Sequence, residues 1–592
     1  MSKSQTFLGI ENSAGGRRWV ERLSAPQKNI ALDIAQTHGV PDILARVLAA
    51  RGVHRDEVKE FLDPTIKALM PDPRTITDME AAASRIAKAI NTQEKVAVFG
   101  DYDVDGAGSS ALMARYLGHF GLQVEIYIPD RIYEGYGPNA AAMKALAERN
   151  DFIVTVDCGT NSAEAFAAID GAGIEIVVLD HHQVGGALPE VVAVVNPNRE
   201  DDISGLGHLC AGGVVFMCLV EVSRQLRASG KSDLPDLMRL LDLVALTTVC
   251  DVVPLIGLNR AFVAKGLVTA RHQTNLGIAA LASAARIGEP INPFHFGFAI
   301  GPRINAGGRI GDASLGAKLL TETDANRAAE VAKELDELNA QRQAIEVQMV
   351  AEAKAEAERE LQSSSPPAII ITASEDWHPG IAGLIASRLK DSTRRPSFAI
   401  ALGRDGKGTG SGRSIPGFDL GKVVRMAVDA GLLIKGGGHA MAAGITVEKA
   451  KLGALRAFFD EQAAAAVQDL VNTSEQKIDG ALSARGCNIA LIELLSKAGP
   501  YGAGNPEPVF VLPNHMVAFS KPVGQGHLKV ALRAQDGAQI DAIAFRAVES
   551  ELGNVLRQGQ DNPIHVAGTL SANHWNGRVT PQLRIIDAAV PV

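Results

Sequence analysis

Residues 95–106, KVAVFGDYDVDG, carry the pattern from which the fold of the surrounding region can be predicted. An apolar run leads through a glycine into three alternating carboxylates, Asp101, Asp103 and Asp105. A short apolar run of this kind, flanked by helical patterns, is typical of a buried strand in a parallel sheet. Ligands of such sheets bind beyond the carboxyl ends of the strands. The stretch therefore predicts a strand that delivers acidic residues to the edge of a binding site.

The neighbouring sequence repeats this pattern. Apolar runs rich in Val and Ile follow in DFIVTVDCG, IEIVVLDHH and VAVVNPN, with helical segments among them. The runs at 96–105, 153–157 and 176–182 end directly in Asp or His. Strands that alternate with helices predict an α/β fold with a doubly wound, mostly parallel sheet.

The rest of the chain predicts four further regions. Dense Ala, Glu, Leu, Lys and Arg after residue 313 indicate one long helix or two in tandem. Short strands with Gly and Asn turns at 505–592 favour a small OB-like barrel. The expected domains are an N-terminal helical cap (1–70), the α/β domain described above (71–312), a long connecting helix (313–364), a smaller α/β domain (365–470) and the OB-like C-terminal domain (471–592).

Composition narrows the class of protein. The 592 residues include 58 Lys and Arg and 67 Asp and Glu, so the net charge is −9, which argues against a polybasic nucleic-acid binder. Five unpatterned cysteines offer neither a disulfide framework nor a zinc motif, and this fits a reduced, cytoplasmic compartment. No apolar run approaches the roughly 18 residues of a membrane span, so we expect no membrane association.

The three alternating carboxylates predict a metal site. In an extended segment Asp101, Asp103 and Asp105 would project to one face. Carboxylates so close repel one another, and a hard divalent cation relieves the repulsion. The alternative interpretation is a solvated acidic turn, which the matching residues at other strand ends make less favourable.

Those matching residues are Asp157, the triplet Asp180, His181 and His182, and Asp251. Adjacent histidines in extended backbone point to opposite sides, so we expect one to bind metal and the other to serve substrate or orient a ligand. Taken alone, Asp251 fits a helix cap as well as a ligand. A mixed Asp and His set suits Mn²⁺ or Mg²⁺ better than zinc.

In order along the chain, DYDVDG, VDCG, LDHH and CDVVPL resemble the signature of the DHH phosphoesterase superfamily. Over nearly its whole length the chain resembles the RecJ family of that superfamily, with a DHH domain, connecting helix, DHHA1 domain and OB domain. This resemblance implies two-metal hydrolysis of single-stranded DNA from its 5′ end to 5′-mononucleotides, with two Mn²⁺ or Mg²⁺ ions. It also implies a role in recombinational and mismatch repair, with a single-strand-binding protein and a RecQ-type helicase as partners.

The resemblance also assigns roles to the acidic and histidine residues. Asp101 would lie at the edge of the site, Asp180 would orient its neighbours, and His182 would contact the scissile phosphate. The implied metal ligands are Asp103, Asp105, the bridging Asp157, His181 and Asp251.

Downstream motifs resemble the substrate-binding segments of the family. GPRINAGGRIGDA (301–313) supplies Arg309, supported by Arg303 and Asn305, and the guanidinium suits bidentate phosphate contact. GGGH (436–439) is expected to be a glycine-rich turn whose N–H groups approach phosphate. The remaining implied substrate contacts are Arg131, His378, Ser411, Arg413, Gly437, Gly438 and His439.

Two alternatives remain at this point. One is another DHH enzyme, a nanoRNase or a cyclic-dinucleotide phosphodiesterase, although such proteins are usually shorter and lack the C-terminal barrel. The other is a non-catalytic adaptor that binds single strands, against which the intact acid and histidine set argues.

Overall fold

The computed structural model describes residues 6–363, 365–472, 474–524, 526–575 and 577–591. The chain divides into two compact units. The large unit comprises Pro71–Asp251 and Gly266–Asn472, and the small unit comprises Met1–Met70, Val252–Lys265 and Thr473–Val592.

In chain order the strands are β1 (Arg18–Glu21), β2 (Val96–Gly100), β3 (Val124–Tyr127), β4 (Phe152–Val156), β5 (Glu175–Leu179), β6 (Ala193–Val195), β7 (Ile370–Ser374), β8 (Ser397–Leu402), β9 (Lys407–Arg413), β10 (Lys435–His439), β11 (Ala442–Glu448), β12 (Glu475–Ile478), β13 (Gly480–Ala481), β14 (Phe510–Val523), β15 (His527–Arg533), β16 (Gln539–Ala544), β17 (Ile564–Trp575) and β18 (Arg578–Ala589).

The α-helices are α1 (Ala25–His38), α2 (Asp42–Ala50), α3 (Val58–Leu62), α4 (Ile66–Leu69), α5 (Met79–Thr92), α6 (Val104–His119), α7 (Ala140–Ala147), α8 (Ala163–Ala167), α9 (Ala211–Ala228), α10 (Leu241–Cys250), α11 (Gly257–Arg271), α12 (Leu276–Ala284), α13 (Pro293–His295), α14 (Gly301–Ile310), α15 (Leu315–Thr321), α16 (Ala325–Leu361), α17 (Ala382–Thr393), α18 (Leu420–Asp429), α19 (Leu452–Asn472), α20 (Ile489–Ser496) and α21 (Glu551–Gln558). Within the described part of the chain, no helix is both long and apolar enough to cross a bilayer.

The first sheet of the large unit is parallel throughout, in the order β3-β2-β4-β5-β6. Strands β2 and β4 are buried along their whole length, which explains their continuous apolar sequences. The strand order reverses direction between β2 and β4, so the carboxyl ends of these two strands flank the switch point where ligands bind in such sheets. The predicted doubly wound parallel sheet is confirmed.

The second sheet of the large unit is mixed, in the order β10-β11-β9-β8-β7. Strands β7 and β8 run parallel, and the other neighbours are antiparallel. The glycine-rich motif GGGH lies in the edge strand β10, so the expectation of a turn there was wrong. Glycine does not favour strand formation, but the hydrogen bonds to β11 hold this segment in an extended conformation. Of the two options for the connecting helix, the structure has the tandem pair α15 and α16.

The small unit contains the C-terminal barrel. Its strands follow the order β13-β14-β15-β16-β18-β17, and a further pairing between β14 and β17 closes the sheet on itself. The OB-like barrel is therefore confirmed.

The N-terminal segment shares the core of the small unit. Strand β1 pairs in parallel with β12, and helices α1 and α2 pack in one apolar cluster with Leu495 and Phe510. Trp19 is fully buried beside residues of the barrel strands, and its indole N–H donates to the carboxylate of Asp587 at 3.0 Å. The same buried carboxylate accepts from the Ser13 hydroxyl at 2.5 Å and from the Gly15 N–H at 2.8 Å. Asp587 thus joins the N-terminal segment to the barrel.

We expect Asp587→Ala to lower the free energy of unfolding of the small unit by about 2 kcal/mol or more, because buried donors lose their acceptor. The matched control is Asp541→Ala on the neighbouring strand β16, whose half-exposed carboxylate lies 3.7 Å from Lys529. A surface pair of this kind contributes about 0–1 kcal/mol. Urea unfolding followed by tryptophan fluorescence measures both variants. Equal losses of unfolding free energy would show that Asp587 does not stabilise the contact between the N-terminal segment and the barrel.

Candidate active site

The acidic loop after β2 begins a helix instead of continuing as a strand. The Asp103 carboxylate accepts the N–H groups of Asp105 and Gly106 at 2.8 and 3.2 Å, which makes Asp103 the N-cap of α6. The three carboxylates therefore do not share one face, and the extended geometry expected from their spacing was wrong. Oxygens of Asp101 and Asp103 come together with Asp157, whereas Asp105 lies with His181 and Asp251.

Asp105 is held from the opposite side by another helix. Its buried carboxylate accepts the N–H groups of Ala211 and Gly212, the first residues of α9, at 2.7 and 2.9 Å. These donors at a helix N-terminus favour a charged carboxylate. Gly106 is required beside it, since a Cβ there would lie 2.3 Å from the carbonyl oxygen of Asp101. Burial nevertheless raises the pKa of Asp105, and the charge of Asp103 adds to the effect.

Asp157 follows β4 in a left-handed backbone conformation, with φ of 61°. Asp tolerates this region better than most residues. The Tyr136 hydroxyl donates to the carbonyl oxygen of Asp157 at 3.2 Å and lies 3.0 Å from Nδ1 of His182. Burial, and then the charges of Asp105 and Asp103, raise the pKa of Asp157 well above its ordinary value.

His181 and His182 both turn towards Asp157, so the expectation that they point apart was wrong. Their ring centroids are 4.7 Å apart, because the chain bends after β5 and does not stay extended. Nε2 of His181 lies 3.2 Å from Oδ1 of Asp157 and 3.7 Å from carboxylate oxygens of both Asp105 and Asp251. Nδ1 of His182 lies 3.9 Å from the same Asp157 oxygen.

Asp180 orients this pair. Its carboxylate accepts the N–H of Thr160 at 3.0 Å, the N–H of His181 at 2.7 Å and Nδ1–H of His182 at 2.8 Å. Burial would raise the pKa of Asp180, but the hydrogen bond and charge of His182 hold it well below its usual range. The same contacts raise the pKa of His182 despite its burial.

Several supporting residues escaped the sequence analysis. The side-chain amides of Asn196 and Asn198 donate to the carbonyl oxygens of His182 and His181 at 2.8 and 2.5 Å. Both asparagines belong to NPN, directly after β6, so the strand-end rule that identified Asp157 would have found them. Tyr136 lies in a loop without a periodic pattern, and no comparable signal pointed to it.

The acidic group has the chemistry of a cation site. Among the described residues, Asp101 Oδ1, His181 Nε2 and Asp251 Oδ2 are buried side-chain atoms without a hydrogen-bond partner. Burial and neighbouring carboxylates raise the pKa of both Asp101 and Asp251 well above their ordinary values. Buried carboxylate oxygens and an imidazole nitrogen without hydrogen-bond partners in these adjoining groups fit hard divalent ions such as Mn²⁺ or Mg²⁺.

Three arginines lie close together near the acidic group. The Arg131 guanidinium lies 4.7 Å from the centre of the Tyr102 ring, and Nη1 of Arg309 donates to the carbonyl oxygen of Gly380 at 2.9 Å. Burial, followed by the charges of neighbouring arginines that include Arg131 and Arg413, lowers the pKa of Arg309 to about 10. Nη1 of Arg413 also donates to the Ser411 hydroxyl at 2.9 Å. The structure thus brings four of the predicted phosphate contacts into one region.

The other predicted substrate residues have different surroundings. Burial, followed by the charges of Arg413 and His182, lowers the pKa of His439. His378 accepts the N–H of Gly380 at 3.2 Å, next to the carbonyl that holds Arg309. Gly437 and Gly438 lie in the edge strand β10.

Arg303 and Asn305 are not brought to the acidic group by any contact among the described residues. The Arg303 guanidinium pairs with Asp336 of α16 at 2.7 Å and donates to the carbonyl oxygen of Ala299. Asn305 is half-buried on α14. Arg303 therefore braces α14 against the connecting helix.

Three family models match the chain. The DHH family N-terminal domain matches residues 95–248, the DHHA1 domain matches residues 366–465, and the RecJ OB domain matches residues 478–587.

Relatives and solved structures agree with these matches. The chain is 33% identical over 583 residues to the single-stranded-DNA-specific exonuclease RecJ of Bacillus subtilis, covering 98% of this chain and 71% of the relative. It is also similar to the Thermus thermophilus RecJ structure in complex with Mn²⁺, with a TM-score of 0.79, 30% identity, and coverage of 96% of this chain and 79% of that one. The structure of that protein with Mg²⁺ gives a TM-score of 0.73 at 29% identity, with 96% and 78% coverage.

We expect Asp157→Asn to abolish stabilisation by Mn²⁺ while leaving the metal-free protein as stable as the wild type or more so. The substitution removes one of several repelling buried charges, and at the same time it removes a ligand. The measurement is the thermal unfolding midpoint with and without Mn²⁺, where a ligand at about 100 times its Kd adds about 2.7 kcal/mol. The control Asp170→Asn removes an exposed charge of the same unit and should respond to Mn²⁺ like the wild type. An undiminished Mn²⁺ response of Asp157→Asn would contradict the assignment.

Proposed function

Because the chain belongs to the RecJ family of single-stranded-DNA-specific exonucleases, we propose that it degrades single-stranded DNA from the 5′ end and releases 5′-mononucleotides. The observation that carries this proposal is the closeness of a cluster of arginines to an acidic group whose buried atoms lack hydrogen-bond partners. The acids suit divalent ions, and the arginines suit phosphates.

Two divalent cations, Mn²⁺ or Mg²⁺, are the cofactors of this activity. We assign their ligands as Asp103, Asp105, Asp157, His181 and Asp251, with Asp157 shared between the ions. When bound, such ions supply Lewis-acid activation of water and neutralise charge at the phosphate.

The protein's own side chains bind and orient the substrate. In this proposal Arg131, Arg413 and Ser411 hold the terminal 5′-phosphate, and Arg309 contacts the strand behind it. His182, whose ring is held by Asp180, faces the scissile phosphate as a donor. Asp101 lies buried beside Asp103 and Asp157, at the edge of the ligand group, and adds negative charge there.

The barrel offers a second surface for the strand. The outward face of β14–β16 carries two exposed phenylalanines, Phe519 on β14 and Phe545 directly after β16. On the same face, Lys521 of β14 pairs in register with Lys529 of β15. Nζ of Lys521 lies 5.8 Å from the centre of the Phe519 ring. Aromatic rings interleaved with cations are typical of surfaces that bind single strands.

The cellular setting belongs to the same proposal. We infer recombinational and mismatch repair in the cytoplasm, with a RecQ-type helicase and a single-strand-binding protein as partners. All five cysteines are free thiols, four of them buried, which is consistent with a reducing compartment.

The decisive experiment incubates the protein and Mn²⁺ with oligonucleotides labelled at either end, single- or double-stranded. We expect immediate release of labelled mononucleotide from the 5′-labelled single strand, and late release from the 3′-labelled one. Asp105→Ala should abolish cleavage, because the site loses a ligand.

Asp170→Ala removes an exposed carboxylate of the same unit and should cleave like the wild type. Degradation restricted to very short RNA would contradict the proposal in favour of a nanoRNase, and binding without cleavage would favour an adaptor. Cleavage by Asp105→Ala would overturn the ligand assignment.

We expect the double variant Phe519→Ala, Phe545→Ala to weaken binding of long single strands, since one base–aromatic stack contributes about 1–3 kcal/mol. Fluorescence anisotropy of a labelled oligothymidylate measures the affinity. The matched control is Leu8→Ala, which removes an exposed apolar side chain elsewhere in the small unit. Unchanged affinity of the double variant would show that this face does not bind the strand.

A further inference from the structure

An exposed aromatic pair lies on a helix that packs against the segment ending in Asp251. Phe294 and Phe298 stack with ring centroids 4.9 Å apart and an interplanar angle of 24°. Their exposed fractions are 48% and 73%, which is unusually high because phenylalanine is among the residues most often buried. No role in the proposed reaction accounts for this pair.

The backbone explains how the pair is presented. Helix α13 continues through a π-helical turn, Phe296–Ile300, into α14 without a break in the helical backbone. π-Turns inside helices are frequent at functional sites. Phe296 is fully buried while Phe298 faces outward, so this turn carries one ring in the core and one at the surface.

Close packing places this turn beside the acidic group. The Cys250 thiol donates to the carbonyl oxygen of Phe296 at 3.3 Å, and a Cβ on Gly301 would lie 2.5 Å from Cys250 Sγ. Asp251 follows Cys250 directly, and its carboxylate lies 3.7 Å from His181. The aromatic pair is therefore anchored to the segment that supplies one of the assigned ligands.

We propose that Phe298, stacked on Phe294, is a platform on which one nucleobase of the bound single strand stacks beside the Asp251 side of the site. The inference rests on the proposed function, because it takes single-stranded DNA as the substrate. A planar exposed ring fits a base regardless of sequence, as a nonspecific exonuclease requires. The helix that carries Phe298 continues through α14 to Arg309, one of the proposed phosphate contacts.

An abasic scan tests the platform. Oligothymidylates with one abasic nucleotide at successive positions from the 5′ end are bound to wild-type protein and to Phe298→Ala, and affinity is measured by anisotropy in Ca²⁺ or EDTA. We expect one or two positions at which base removal weakens wild-type binding about tenfold and Phe298→Ala binding hardly at all. Phe298→Trp should restore the position dependence and show quenched indole fluorescence when DNA binds.

The matched control is Val347→Ala on α16, since Val347 is an apolar side chain of similar exposure, 71%. This variant should keep the wild-type profile. Identical abasic profiles for wild type and Phe298→Ala would overturn the platform while the proposed function stands, provided that the wild type still degrades single strands. Failure of the wild type to degrade them would instead defeat the proposed function.

Discussion

The large unit is organised around the repulsion among carboxylates buried at one switch point of a parallel sheet. Burial and mutual charge raise the pKa of Asp101, Asp105, Asp157 and Asp251 together, so the group is costly without a cation. The fold opposes this cost with fixed donors: the N-terminus of α9 on Asp105 and the N-cap bonds of Asp103. These donors hold the carboxylates of Asp103 and Asp105 in fixed positions.

The arginine cluster draws on both parts of the same unit: Arg131 and Arg309 precede the second α/β region, and Arg413 lies in its strand β9. The Arg309 guanidinium donates to the Gly380 carbonyl. The two backbones are also packed so closely that a Cβ on Gly380 would lie 2.5 Å from the Arg309 carbonyl oxygen. Gly308 is equally close to the acidic loop, where a Cβ would meet the Tyr102 carbonyl at 2.6 Å. Helix α14 therefore holds Arg309 at a fixed separation from the acidic loop.

Much of this was predictable because strand-end residues obey a strong rule. Apolar runs of β2, β4 and β5 indicated the parallel sheet, and the carboxyl ends of parallel strands meet at one edge, so Asp157 and Asp180 had to approach the acidic loop. The predictions failed where a side chain changed the backbone: Asp103 capped a helix, and the bend after β5 brought His181 and His182 together. Tyr136 was missed because it lies in a loop, where no periodic sequence pattern indicates that its hydroxyl bonds to Asp157.

The parallel sheet, the OB-like barrel and the class of ion could be predicted from the sequence, since these follow from local periodicity and ligand chemistry. The tertiary structure was needed to show which side-chain atoms lack a hydrogen-bond partner and which arginines come close to the acidic group. Those outcomes depend on contacts between residues far apart in the chain, such as Asp105 with Ala211 and Arg309 with Gly380. Local sequence patterns carry no information on such distances, because packing between elements sets them.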